Sequence, residues 1–133
     1  MRIGELSKLA DCPVETIRYY EREGLLPEAP RNIHNNYRQY QNKHLERLIF
    51  IRRCRALEMS QEEIRLLLVA RVEPNASCAS VNDLIDRHLL DVRNRIKELH
   101  ALADELSHIR GQCGEARAAR DCGILQELER VEI

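Results

Sequence analysis

The sequence predicts a mainly α protein: an N-terminal winged helix-turn-helix domain, a long helix suited to antiparallel dimerisation, and a C-terminal loop carrying thiols. Three observations predict it. Two short helical runs flank the turn "DCP". Ile85, Val92, Leu99 and Leu106 recur every seven residues. Cys78 precedes that recurrence, and Cys113 and Cys122 follow it.

The first helix is read from Ile3, Leu6, Leu9 and Ala10, which share a face. After "DCP", helical spacing resumes in "VETIRYYERE" until Gly24 stops it, and two short helices joined by a tight turn form a helix-turn-helix. "LLPEAPRNIHNNYRQY" follows, with two prolines that oppose helix, an Asn35-Asn36 pair that tolerates left-handed backbone, and the alternating end "YRQY". It fits a hairpin or wing. Asn42 is expected to cap a third helix, "KHLERLIFIRRCRAL", with Leu45, Leu48, Ile49, Ile51 and Ala56 for its core face. Ser60-Gln61-Glu62-Glu63 is a capping-box pattern before a fourth, "IRLLLVAR".

"VEPNAS" breaks the pattern, and a fifth helix is expected over residues 80–111. Leu102 and Ile109 form a companion to its heptad stripe, weakened toward its start by His88 and Arg95. A helix this long cannot bury such a stripe on itself and needs a partner helix. At 1.5 Å per residue its ends lie roughly 50 Å apart, so one chain cannot bring Cys78 to Cys113 and Cys122. Two helices packed antiparallel can, and the spacing reads as a thiolate metal site shared across a dimer. Gly111, Gly114 and Gly123 bracket the loop "QCGEARAARDC", over which a short helix "ILQELERV" is expected to close. The divisions are residues 1–75 for the DNA-binding domain, 76–112 for Cys78 and the dimerisation helix, and 113–133 for the metal-binding loop and terminal helix.

A chain of 133 residues suits one compact domain or a small domain with a helical appendage. It shows neither a signal-peptide core nor a run of about 18 apolar residues, so a soluble cytoplasmic protein with no membrane partner is expected. Five cysteines, an odd number, then read as reduced ligands, sensors or core residues rather than disulfides. The net charge of −1 hides an asymmetry: residues 1–58 hold 11 Lys and Arg against 8 Asp and Glu, while the remainder is acidic. A mildly basic N-terminal part is compatible with nucleic-acid binding without establishing it.

In a helix-turn-helix the second helix enters the major groove. Thr16, Arg18 and Tyr19 are its candidate contacts, with Val14, Ile17 and Tyr20 turned to the core. Arg offers a bidentate fork to guanine or phosphate, and Tyr can donate to phosphate. Tyr37 and Arg38 of the wing are placed to grip the backbone beside it. Taken singly, surface arginines and half-buried tyrosines are commonly structural.

"IGELSKLADCPVETIRYYEREGLLP", "NYRQY" and "LERLIFIRRCRALEMSQEEI" resemble the N-terminal winged-helix domain of MerR-family transcription regulators. The resemblance continues through "CASVNDLIDRHLLDVRNRI" and "CGEARAARDCGIL", covers essentially the whole chain, and is closest to the lead- and cadmium-responsive branch. The wing departs from the pattern: "RNIHNNYR" has Asn-Asn where relatives often have Gly, and is slightly longer. The resemblance implies that Cys78, Cys113 and Cys122 are metal ligands, and that Cys78, where copper(I) sensors carry serine, marks a sensor of divalent ions. It also implies a homodimer on double-stranded promoter DNA. There the metal-bound form distorts the DNA so that RNA polymerase can use a promoter, expected to be that of a metal-resistance or efflux operon.

Thiolates favour thiophilic ions. Pb²⁺ or Cd²⁺ is the expected inducer, with Hg²⁺ and Zn²⁺ less favoured; tetrahedral zinc would need a fourth ligand from water or another residue. Cys12 and Cys54 read as packing residues, and no histidine is assigned as a ligand. A mercury or zinc regulator of the same architecture and a thiol redox sensor are the alternatives. An enzyme is not expected, since no Cys/His activating arrangement is present and the helix-turn-helix would be left unused.

Overall fold

The structure, a computed structural model, describes residues 1–75 and 77–131. The expected boundary at residue 76 and the last two residues of the terminal segment lie outside them. The chain is mainly α and divides into two compact units, Met1–Val81 and Asn82–Ile133.

The first unit opens with α1 (Ile3–Ala10) and α2 (Val14–Arg22), which form the helix-turn-helix. Asp11 takes a left-handed conformation (φ 51°) to end α1, and the Cys12 N–H returns to the Ser7 carbonyl. Arg52 donates to the carbonyls of Ala10 and Asp11, holding the turn from outside. Gly24 (φ 76°) ends α2 in a Schellman motif: its own N–H bonds to Glu21 O and that of Leu25 to Tyr20 O. Arg47 and Arg65 donate to the carbonyls of Leu25 and Glu23, so arginines from two later helices fix the end of α2.

α3 (Asn42–Ala56) and α4 (Gln61–Arg71) complete the unit. The N-cap of α3 is Gln41 rather than Asn42, because His44 Nδ1 accepts the Gln41 N–H at 3.0 Å. Its core face also differs from expectation: His44, Leu48, Ile51 and Cys54 are buried, while Ile49 and Ala56 lie on the exposed side. Positions 44, 48, 51 and 54 share one helical stripe, and 49 and 56 fall off it. The Ser60–Glu63 capping box of α4 forms in both directions. The core gathers Leu6, Ile17, Leu25, Leu26, Tyr40, Leu48, Ile51, Ile64 and Leu68.

Between α2 and α3 the wing is reduced to one antiparallel bridge, Arg31 with Arg38, and no strand forms among the described residues. Asn36 supplies the left-handed residue (φ 59°). Two cross-strand bonds flank the bridge, Asn32 N–H to Tyr37 O and Gln39 N–H to Pro30 O, and at the tip the Asn32 and Asn35 side chains accept the N–H groups of His34 and Tyr37.

α5 (Ala79–Arg110), 32 residues and about 48 Å of helix, begins at the end of the first unit and makes up most of the second. Ile85, Val92, Leu99 and Leu106 are all exposed, as is Leu102. The stripe is also stronger at its start than the pairing with His88 and Arg95 suggests, because Leu89 and Ile96 extend it at four-residue steps from Ile85 and Val92. A short 3-10 turn (Ala119–Asp121) leads to α6 (Gly123–Glu129). In α6 Gly123 and Ile124 are half-buried, while Leu125 and Leu128 are exposed.

Candidate functional site

Each unit carries one candidate site. The first is a concavity of about 840 Å³ between the recognition helix α2 and the wing. Arg2, Arg18, Arg22, Arg31 and Arg38 line it, with Glu21 and Glu28 as its carboxylates. The alternation within α2 buries Ile17 and Tyr20 and leaves Arg18 and Tyr19 exposed, with Val14 and Thr16 half-buried. Such a field suits the sugar-phosphate backbone of a duplex.

The candidate contacts differ in how free they are. Tyr19 accepts a hydrogen bond from the Gln61 side chain at the start of α4, tying the recognition helix to α4. Tyr37 is exposed. Arg38 is half-buried and spends its donors inside the protein, on Ala29 O at 3.0 Å and Glu28 Oε1 at 2.8 Å, with Glu21 at 3.9 Å. Beneath it the Tyr40 hydroxyl donates to Glu21 Oε1, and burial followed by that carboxylate pushes the phenol well above its ordinary range. Arg2, Arg22 and Arg31 were not singled out from the sequence. Arg22 could have been, since it lies one helical turn after Arg18; Arg2 and Arg31 are brought to the concavity by the fold.

The second site is the loop after α5. The Cys113 thiol donates to Glu115 O at 3.1 Å, and Arg110 donates to the Cys113 carbonyl at 2.5 Å. Cys122 caps α6. Its thiol is held below the ordinary value chiefly by the Leu125 N–H, then by the Ile124 N–H, the Cys113 thiol and the charge of Arg117, against the opposing effect of burial. What closes the loop is Gly123: a Cβ there would overlap the Gln112 carbonyl, so only glycine lets the residues beside the two cysteines approach.

Cys113 and Cys122 are thus brought together as a half-buried pair, and Cys78 is exposed just before α5. No group of three or more His, Cys, Asp or Glu suited to a metal forms among the described residues of one chain. The pair fits a thiophilic ion chemically, since it offers soft sulfur and one thiol already biased toward thiolate. Cys12 and Cys54 lie in the core, where desolvation raises both thiols, as suits packing residues.

Comparison with known proteins agrees with this layout. The family described as MerR HTH family regulatory protein matches residues 1–70, and that described as MerR, DNA binding matches residues 45–109. The chain is 43% identical over 110 residues to the HTH-type transcriptional regulator ZntR homolog of Haemophilus influenzae, covering 83% of this chain and 81% of that one. Among solved structures it is similar to the transcription regulator PbrR691 from Ralstonia metallidurans CH34 in complex with lead(II). That likeness has 54% identity and a TM-score of 0.87, covering 96% of this chain and 98% of that one. It is also similar to the dual-function transcriptional regulator MerR from Bacillus megaterium MB1 in complex with mercury(II). There the identity is 32% and the TM-score 0.69, covering 98% of this chain and all of that one (100%). These relatives are transcription regulators, not enzymes, and share the helix-turn-helix and long-helix architecture described above. The chain belongs to the MerR family of helix-turn-helix transcription regulators.

Proposed function

We propose that this chain is a cytoplasmic, homodimeric, metal-responsive regulator that binds double-stranded promoter DNA and activates a metal-resistance or efflux promoter. Residues 1–75 serve as the DNA-binding domain, 76–112 as the dimerisation segment and 113–133 as the metal-binding segment. Cys113 and Cys122 of one protomer complete a three-thiolate site with Cys78 of the partner subunit. The observation that carries the reading is the Cys113–Cys122 pair, gathered by the Gly123 closure at one end of a 32-residue helix whose other end follows Cys78. The exposed heptad stripe supports antiparallel pairing of that helix.

Three thiolates favour Pb²⁺ or Cd²⁺ over harder ions, and the likeness to a lead(II)-bound regulator supports lead. Hg²⁺ is the second reading, supported by the likeness to a mercury(II)-bound one; Zn²⁺ is less favoured because a tetrahedral site needs a fourth ligand. Such an ion supplies strong sulfur coordination. The chain's own residues do the rest: the thiolates draw the loop to the partner's α5, and that movement alters the presentation of the two α2 helices to the operator. Thr16, Arg18, Tyr19 and Tyr37 contact the duplex, with Arg38 holding the wing. Distorting promoter DNA costs several kcal/mol, so the liganded dimer must prefer the distorted form for RNA polymerase to gain.

The test is anaerobic titration of the reduced protein with Pb²⁺, Cd²⁺, Hg²⁺ and Zn²⁺ under a competing chelator, following sulfur-to-metal charge-transfer absorption. Saturable binding with thiolate bands, weakened in Cys78→Ser, is the expected result. Absence of tight binding to all four ions would overturn the metal reading and favour oxidation of the Cys113–Cys122 pair as the signal.

A further inference from the structure

The arginines of the α2–wing concavity fall into two groups. Arg38 and Arg31 are occupied: Arg38 by Glu28 and Ala29 O, and Arg31 by a 3.0 Å hydrogen bond to Asn36 O across the wing turn. Arg2 is different. It is exposed at the N-cap of α1, and its guanidinium carbon lies 4.1 Å from the centroid of the Tyr37 ring. Stacking uses the flat face of a guanidinium and leaves its N–H edges available. Among the described residues no carboxylate or carbonyl takes those edges, although Glu21 and Glu28 line the same concavity.

We propose that Arg2 is a DNA-phosphate ligand of this regulator, seated on Tyr37 as its platform, and that Arg38 is a scaffold of the wing rather than a phosphate contact. The proposal rests on the DNA-binding reading above. Three points support it. Arg2 is far from the recognition helix in neither position nor charge, since it lines one concavity with Arg18 and Arg22. Its stacking on Tyr37 limits its rotamers before binding, which reduces the entropy lost on contact. Moving Arg38 to a phosphate would give up its bond to the carbonyl of buried Ala29 and its exposed pair with Glu28, and the carbonyl is the costlier of the two to leave unpaired. The pairing also gives the wing tyrosine a second role, because without the ring beneath it the Arg2 side chain has nothing to hold it at the rim.

The experiment uses the full chain and a duplex selected by the wild-type protein from a random-sequence library, with affinity measured by anisotropy across a salt series. Neutralising one phosphate contributes about 0.9 to the slope of log K against log salt, so Arg2→Gln should lower that slope by about 0.9 for each protomer bound. Arg2→Lys should keep the slope while losing part of the affinity. In a Tyr37→Leu background the Arg2→Gln effect should shrink, because the platform is gone. Arg38→Gln should lower the melting temperature and leave the salt slope of the folded fraction unchanged. An unchanged slope in Arg2→Gln overturns the proposal, as does a slope loss in Arg38→Gln in its place. Should the slope loss appear in Arg18→Gln alone, the DNA-binding reading stands and the Arg2 assignment falls; should wild type select no duplex, both fall.

Discussion

At Gly123 one missing side chain decides whether two thiols meet. A methyl group there collides with the Gln112 carbonyl, and relieving that by backbone shifts costs about 1–3 kcal/mol. Gly123→Ala should therefore weaken metal binding by about tenfold or more while leaving metal-free DNA binding unchanged, as read by chelator competition and anisotropy. Glu58 presents the opposite case. It ends α3 in a left-handed conformation (φ 59°) that suits glycine, with the Met59 N–H returning to Cys54 O. Replacing it by glycine should raise stability by up to about 1 kcal/mol in denaturant unfolding, since the relieved strain exceeds the added chain entropy.

His44 gives the residue scale a pH dependence. Burial first, then the charge of Lys43, lowers its pKa from the ordinary 6.5, against the opposing charge of Glu21. A base whose folded pKa is depressed contributes stability that is intact above about 6.5, its unfolded value, and lost as pH falls below it. Protonation would also break the bond in which Nδ1 accepts the Gln41 N–H. The melting temperature should fall as pH is taken from neutral to below this point, and His44→Gln should show a shallower fall from a lower start. Equal slopes in the two proteins would contradict this account.

At the scale of elements, what could be read from the sequence depended on whether local signals decided the matter. Ser60 and Glu63 announce α4 because both halves of the capping box lie within four residues, and Gly24 announces the end of α2 because its left-handed turn needs no distant partner. The N-cap of α3 falls one residue before Asn42 because the deciding bond comes from His44, a residue with no customary capping role. The wing is a short hairpin, as its turn residues and the alternation in "YRQY" indicate: Arg31 and Arg38 bridge between two cross-strand bonds, and at the tip the Asn35 side chain takes the Tyr37 N–H. The pairing of Cys113 with Cys122 was legible from the loop's glycines, whereas the contact that closes it depends on Gln112, which nothing in the sequence marks. Arg2 is illegible for a similar reason, since only the fold carries the start of the chain to the wing.

For α5 the element-scale consequence is a stripe that awaits burial. Truncating Leu99 to Ala removes about 2 kcal/mol of apolar burial from each protomer of a dimer. Two copies then weaken association about a thousand-fold, which sedimentation across a dilution series would register. An unchanged dissociation constant would place the stripe outside the dimer interface.

At the scale of the whole molecule the account makes one demand that a monomer cannot meet: the three sulfurs must come from two chains. Mixed dimers of Cys78→Ser and Cys113→Ser protomers test it most directly. Each parent homodimer lacks a complete site, yet a heterodimer assembles one site with all three thiols, Cys78 from one protomer and Cys113 with Cys122 from the other. The measurement is Pb²⁺ titration of the purified heterodimer beside both parents, by charge-transfer absorption. The account predicts tight binding of one ion per heterodimer and weakened binding in each parent. A heterodimer no better than its parents would contradict the shared site.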